Sequence, residues 1–216
     1  RGTGSCVEDL PVVEAPPLAP DKLHVLRQRM YLEPRTLIAF TGLAGSGKST
    51  AAQHLVKTHG YQRLRFAGPL KDMMRALGLT EAEIEGDRKE IPCELLGGKT
   101  PRYAMQTIGT EWGRDMIASD LWIRAFNAAL AKVPEGMPVV VDDCRFPNEA
   151  DAIVAAGGVL VRVVRPGAGA RAAGHSSEGQ QLPSVGEIQN DVSLPTFLWQ
   201  VDRLVRDLSW RDNTPA

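Results

Sequence analysis

The chain has 216 residues, a formal net charge of -1, 43% hydrophobic and 24% charged residues, which is the profile of a soluble globular protein with one substantial core. No apolar run reaches the ~20 residues of a membrane span, and the near-neutral charge argues against coating nucleic acid through bulk charge while leaving a local basic cleft open. Three cysteines, Cys6, Cys93 and Cys144, have no metal-type spacing and cannot all pair internally, as in a protein of the reducing cytoplasm.

Residues 1–34 are expected to form an N-terminal leader. Its first twenty residues are rich in Pro and Gly and lack the basic start and apolar core of a signal peptide; "DKLHVLRQRMYLEP" adds a short helix. Residues 35–210 read as one domain. "RTLIAFTG" predicts a buried strand, a short apolar run ending in Gly. "KSTAAQHLVKTHG" predicts a helix stopped by Gly60. "YQRLRF" alternates as a short strand, and "PLKDMMRALG" reads as a helix opened by Pro69 and closed by Gly78. The acidic "TEAEIEGDRKE" is expected on the surface. A long helical region over 100–133 has breaks expected near Gly109, Gly113 or Ser119. "PVVVDD" is a second buried strand, "NEADAIVAAGG" a helix and "VLVRVVRP" a third strand. Residues 166–184 lack periodicity and read as a mobile lid loop. "EIQND" is a last short strand, and "SLPTFLWQVDRLVRDL" closes the chain as an amphipathic helix with Ser193 at its N-cap. Strands alternating with helices predict an α/β sandwich around a parallel sheet.

Gly42 to Ser49, "GLAGSGKS", match the phosphate-loop pattern G-x-x-x-x-G-K-[ST] between a strand and a helix. Backbone amides from Gly42 through Ala44, Gly45, Ser46 and Gly47 to Thr50 can turn inward around phosphate oxygens, at the N-terminus of the following helix. Lys48 would bridge the outer phosphates, and the Ser49 hydroxyl would hold Mg²⁺. An acid at the end of an apolar strand is where a nucleotide-binding sheet places a carboxylate near that ion. Asp142 and Asp143 both qualify by position, and strand alternation means that one of them points at the metal.

In "PRYAMQTIGTEWGRD", Arg102, Gln106, Thr110 and Arg114 recur every four residues and form one stripe of a helix. Met105, Ile108, Trp112 and Met116 form a separate apolar stripe, so one face is expected to pack on the sheet while the other offers two guanidiniums and an amide. Arg suits phosphate because its planar fork donates two parallel hydrogen bonds. A solvated surface stripe is the plain alternative. Further cations lie at predicted strand ends: Arg65, Lys71, Arg145, Arg165 and, in the lid, Arg171. A positioned cation is worth ~10³ or more in phosphoryl transfer, and a lid that excludes water separates a kinase from an ATPase. His175 reads either as a general base or as polar surface.

Taken together, "GLAGSGKST", "RFAGPLKDMMRALG", "PRYAMQTIGTEWGRD", "DCRFPNEADAIVAAGG", "VRPG" and "HSSE" resemble the phage deoxynucleoside monophosphate kinases over roughly residues 36–208. The resemblance implies a P-loop NTPase fold of the nucleoside monophosphate kinase type, a parallel sheet flanked by helices with a mobile lid. It implies transfer of the γ-phosphate of ATP, with Mg²⁺, to a deoxynucleoside 5′-monophosphate in the cytoplasm of the host cell. By motif, Lys48 and Ser49 take phosphates and metal, and Asp143 matches the acid of D-x-R-F and is preferred over Asp142. Arg65, Lys71, Arg102, Gln106 and Arg114 would face the acceptor; Arg145, Arg171, His175 and Glu178 would lie around the site. Related phage kinases act on 5-hydroxymethyluridine within DNA, so modified DNA is the alternative acceptor. A nucleotide-dependent switch is a third reading. No membrane partner is expected, and a homodimer stays open.

Overall fold

The computed structural model describes residues 36–169 and 182–211, with side chains of the last helix up to Leu208. The chain divides into two units, Arg1–Glu33 and Pro34–Ala216, and every described residue lies in the second. The leader, and Arg171, His175 and Glu178 of the expected lid, lie outside the described residues.

Five parallel strands form one sheet: β1 (Leu37–Thr41), β2 (Gln62–Leu64), β3 (Val139–Val141), β4 (Val159–Val164) and β5 (Gly186–Gln189), in the order β2-β3-β1-β4-β5. The central β1 is buried at every residue, as the unbroken apolar run "LIAF" requires of a strand covered on both faces. Its period of two sends alternate side chains to opposite layers. Ile38 and Phe40 join Ala51, Ala52 and Leu55 of α1 (Lys48–His59) and Phe197, Val201 and Val205 of the last helix, α7 (Leu194–Arg211). Leu37 and Ala39 join Val139 and Val141 of β3, Phe126 of α5 (Leu121–Leu130), and Ala150 and Ile153 of α6 (Pro147–Ala155). Helices therefore cover both faces, and the loops after β1 and β3 emerge side by side at the carboxyl edge, where α/β sheets bind ligands.

A third, smaller cluster lies in the excursion between β2 and β3. Met74 of α2 (Gly68–Ala76), Leu79 and Ile84 of α3 (Glu81–Ile84) are buried together, with Met105 and Ile108 against them. The segment "TEAEIEGDRKE" is thus not wholly surface. Thr80 caps α3 by exchanging hydrogen bonds with Glu83, and the helix turns Ile84 inward.

The long helical region follows a different path from the one its spacing predicts. Helix α4 (Pro101–Thr107) opens on a Thr100 cap and runs directly into a wider π-helix, Ile108–Ile117. The break comes at Ala118, whose backbone is extended, next to Ser119. Widening the turn changes the phase of the apolar stripe. Met105 and Ile108 pack on the third cluster rather than on the sheet, whereas Trp112 and Met116 come out exposed, Met116 at 75%. Gly113 makes the path possible. A Cβ there would stand 2.7 Å from the Trp122 ring and 2.9 Å from the Ile108 carbonyl oxygen, while Trp122 donates its indole N–H to the Gly109 carbonyl at 2.7 Å.

Gly113→Ala is therefore expected to overpack this joint by about 2 kcal/mol, lowering Tm by roughly 4–8 °C. Thermal unfolding followed by circular dichroism measures it; an unchanged Tm would remove the close approach of Trp122 from the account.

Candidate active site

The loop after β1 has the backbone that its glycines permit. Gly42 and Gly47 sit at φ +133 and +113, in the region that favours glycine. A Cβ on Gly42 would lie 2.3 Å from the Val163 carbonyl, and one on Gly47 2.4 Å from the Asn190 side chain. The amide of Asn190, just past β5, donates to the Ser46 carbonyl at 2.7 Å, fixing the loop from outside. Lys48 is buried and its ammonium donates to the carbonyls of Gly42 and Leu43, both at 2.7 Å. Around this loop lies a cavity of about 700 Å³, lined by Gly45, Gly47, Lys48, Ser49 and Thr50, by Arg165 after β4, and by the Asn190–Leu194 turn. That volume is in the range of nucleotide-sized ligand sites. Gly42, Ala44 and Ser46 build the loop from behind, and Ala44 accepts a hydrogen bond from the Gly169 amide.

The structure places Asp142, rather than Asp143, against the phosphate loop. Ser49 Oγ donates to Asp142 Oδ2 at 2.6 Å. Asp143 turns the other way and accepts the backbone amides of Phe66 and Ala67 at 3.0 and 2.9 Å. Alternation along the strand end separates the two carboxylates, and the motif-based preference for Asp143 as the acid at the metal is corrected on this geometry. Ser49 and Asp142 are hard oxygen donors with the chemistry Mg²⁺ takes, and they are the residues that would hold it.

Asp142 is 4% exposed, so its charge needs partners. Arg63 grips both of its oxygens, with Nε at 2.9 Å from Oδ1 and a second bond to Oδ2. Arg65 adds Nε at 3.1 Å from Oδ1. Burial pushes the Asp142 carboxyl up, but the hydrogen bonds from Arg63 and Ser49 and the two guanidinium charges outweigh it and hold the group at about 2. Arg65 also pairs with Glu85. It was expected to face substrate; instead it bridges two carboxylates and is absent from the lining of the second cavity. Glu85 in turn accepts Lys71 at 2.9 Å and lies 3.8 Å from Lys89.

Lys71 and Lys89 open into that second cavity, which Arg102, Gln106, Thr110, Arg114, Asp143 and Arg145 also line. The structure thus brings the polar stripe of α4 and the π-helix together with Lys71, Asp143 and Arg145. A four-residue spacing stays in line across the junction because the narrower α-turn and the wider π-turn drift in opposite senses. Arg114 is held rather than loose. It donates to Glu149 Oε1 at 2.6 Å and lies over the Phe146 ring at 4.2 Å. Glu149 is buried and its other oxygen accepts the amides of Arg145 and Phe146 at 2.8 and 3.2 Å. Arg102 pairs with Glu90 in the exposed rim. Burial and the neighbouring Lys71 charge lower the Lys89 ammonium, and burial with the nearby Asp142 charge raises the Asp143 carboxyl against its two amide bonds. Both shifts show a confined, highly charged space.

Sequence reasoning passed over Arg63, Glu85, Lys89, Glu149 and Asn190. Two of these had a readable signal. Arg63 and Arg65 in "YQRLRF" are two apart on a strand and must share a face, and Glu149 stands three residues after Phe146 at the start of a helix, the place of a capping glutamate.

No family model matches the sequence. A protein of Acanthamoeba polyphaga mimivirus with the name "Putative deoxynucleotide monophosphate kinase" is 36% identical over 148 residues, 61% of this chain and 75% of its own length. Among solved structures, the APS kinase CysC of Mycobacterium tuberculosis in complex with AMPPNP and APS is 15% identical, over 82% of this chain and 99% of its own, with a TM-score of 0.46. A gluconokinase of Sinorhizobium meliloti is 16% identical, over 82% of this chain and 97% of its own, with a TM-score of 0.41. The phosphate loop, the carboxylate on its serine and the extent of likeness to the mimivirus protein lead to one statement: the chain belongs to the same family of P-loop nucleotide kinases as that protein.

Proposed function

We propose that this protein transfers the γ-phosphoryl group of ATP to a deoxynucleoside 5′-monophosphate, giving the diphosphate. The observation that supports it most is the second cavity. It lies on the far side of the Asp142–Asp143 strand end from the phosphate loop, and among the described residues five cations line it: Lys71, Lys89, Arg102, Arg114 and Arg145. A nucleotide switch needs no such second anion site. The mimivirus relative's name points to the same substrate class.

In this reading the loop amides and Lys48 cradle the β- and γ-phosphates of ATP. Mg²⁺, held by Ser49 and Asp142, would neutralise charge on the phosphates when bound. Arg114, fixed by Glu149 and Phe146, presents a guanidinium to the acceptor phosphate in one orientation, so little side-chain entropy is lost on binding. Lys71 and Lys89 add positive charge where the transferred group accumulates negative charge. The acceptor oxygen of a monophosphate is already anionic and needs no base.

The alternative acceptor is the hydroxymethyl group of 5-hydroxymethyluridine in DNA. A neutral hydroxyl calls for a base, and the half-buried Asp143 is, together with Glu149, one of the carboxylates of this cavity whose affinity for a proton burial raises. Its two amide bonds commit it to a fixed position beside α2, which weighs toward the free nucleotide.

Incubation with ATP, Mg²⁺ and each deoxynucleoside monophosphate, beside hydroxymethyluridine DNA, tests the proposal. Diphosphate from at least one monomer, with no label in DNA, is expected; label in DNA alone, or hydrolysis with neither acceptor phosphorylated, would overturn it. Lys48→Ala is expected to cut transfer at least ~10²-fold with the circular dichroism spectrum retained, and near-normal turnover would refute the assignment of the loop. Arg102→Ala and Arg114→Ala should each raise the acceptor KM about tenfold and leave that for ATP in place. The pair differ in stability: Arg114→Ala strands the buried Glu149 and lowers Tm, whereas Arg102→Ala, in an exposed pair, leaves it within error.

A further inference from the structure

Away from both cavities, the outer faces of α1 and α7 carry a cluster that phosphoryl transfer does not use. His54 Nε2 and His59 Nε2 converge on a single oxygen, Asp202 Oδ1, at 2.6 and 2.7 Å. The three ligand-type atoms lie within 4.8 Å of one another, and the two rings are set edge to face with centroids 5.9 Å apart. We propose that His54, His59 and Asp202 form a site for a first-row transition-metal ion of the Zn²⁺ class, clipping α1 to α7.

The donor set supports this class. Two imidazoles with one carboxylate suit Zn²⁺, Co²⁺ or Ni²⁺, whereas Mg²⁺ and Ca²⁺ take oxygen ligands. Ligand atoms on a tetrahedral Zn²⁺ at ~2.0–2.1 Å stand about 3.3 Å apart, so from 2.6 and 2.7 Å the two nitrogens need retreat from the carboxylate oxygen by roughly 0.6–0.7 Å, within reach of side-chain rotation. Each imidazole then gives its Nε2 lone pair to the ion, and the proton that Nε2 carried moves to Nδ1 or to solvent. Thr58 Oγ1 lies 3.4 Å from His54 Nδ1, placed to accept from that nitrogen as the outer partner of a ligating histidine does. Side-chain exposures of 16%, 29% and 32% leave a path for the ion and room for a water as fourth ligand.

Backbone supports both sides of the site. His59 is the last residue of α1, held by the left-handed Gly60 at the cap. Asp202 follows Val201, which is buried against α1 in the core. Because α1 begins at Lys48 and α7 begins at Leu194, both in the lining of the phosphate-loop cavity, the ion would fasten the C-terminal part of α1 to the middle of α7, the two helices that frame that cavity.

The test uses the full chain with Co²⁺ as spectroscopic probe and Zn²⁺ as competitor. One equivalent of Co²⁺ with the visible absorption of a tetrahedral site, displaced by Zn²⁺ and unmoved by Mg²⁺, is expected. Saturating Zn²⁺, about 100-fold above Kd, should raise Tm by roughly 5–10 °C. His59→Gln and Asp202→Asn, chosen to keep side-chain volume, should each weaken Co²⁺ binding at least tenfold while retaining the wild-type circular dichroism spectrum. The remaining histidines, His24 and His175, supply the control: His24→Gln with His175→Gln should bind as wild type. No uptake, uptake that survives both site variants, or loss in the control variant would overturn the proposal.

Discussion

The Asp142 carboxylate is the interaction on which the rest of the site depends. It is nearly sealed from water, and it is bound at once by Ser49 of the phosphate loop, Arg63 and Arg65. Breaking a buried pair by removing one partner costs about 3–5 kcal/mol, so this knot constrains three chain segments together. It gives a reason for β2, a strand of only three residues. The strand places Arg63 on the sheet edge beside β3, with Arg65 two residues further on. From Arg65 the charges alternate onward through Glu85 to Lys71 and Lys89, so a continuous ionic chain runs from the phosphate loop to the second cavity. Within this chain each buried charge has an opposite neighbour.

Much of the architecture was legible because local chemistry and global fold agree. The apolar run before "GLAGSGKST" had to be a covered strand, the loop glycines had to turn, and the alternation of strands and helices had to give a parallel sheet. The polar stripe from Arg102 to Arg114 was legible too, since four-residue spacing survives the change of helix type.

Other features turned on information that spacing does not hold. A helical pattern does not reveal a π-turn, because that depends on Trp122 closing on Gly113 from the next helix. The fate of Trp112 and Met116 followed from it. The choice between Asp142 and Asp143 depended on which side of β3 the phosphate loop passes, a matter of sheet order rather than of motif. Arg65 pairs with two carboxylates because Glu85, twenty residues on, arrives beside it through the third cluster. In each case the deciding partner is distant in sequence.

The adjacency of Asp142 and Asp143 has a consequence for how the two cavities relate. One carboxylate is tied to the phosphate loop and the next to the amides that open α2, and a single peptide bond joins them, with Cα atoms about 3.8 Å apart. The two cavities thus share a covalent ruler. The spacing between these two carboxylate-bearing residues is set by the backbone itself. An enzyme that passes a group between two bound molecules would gain from such a fixed gauge, since its reacting partners would meet at a distance the backbone itself defines.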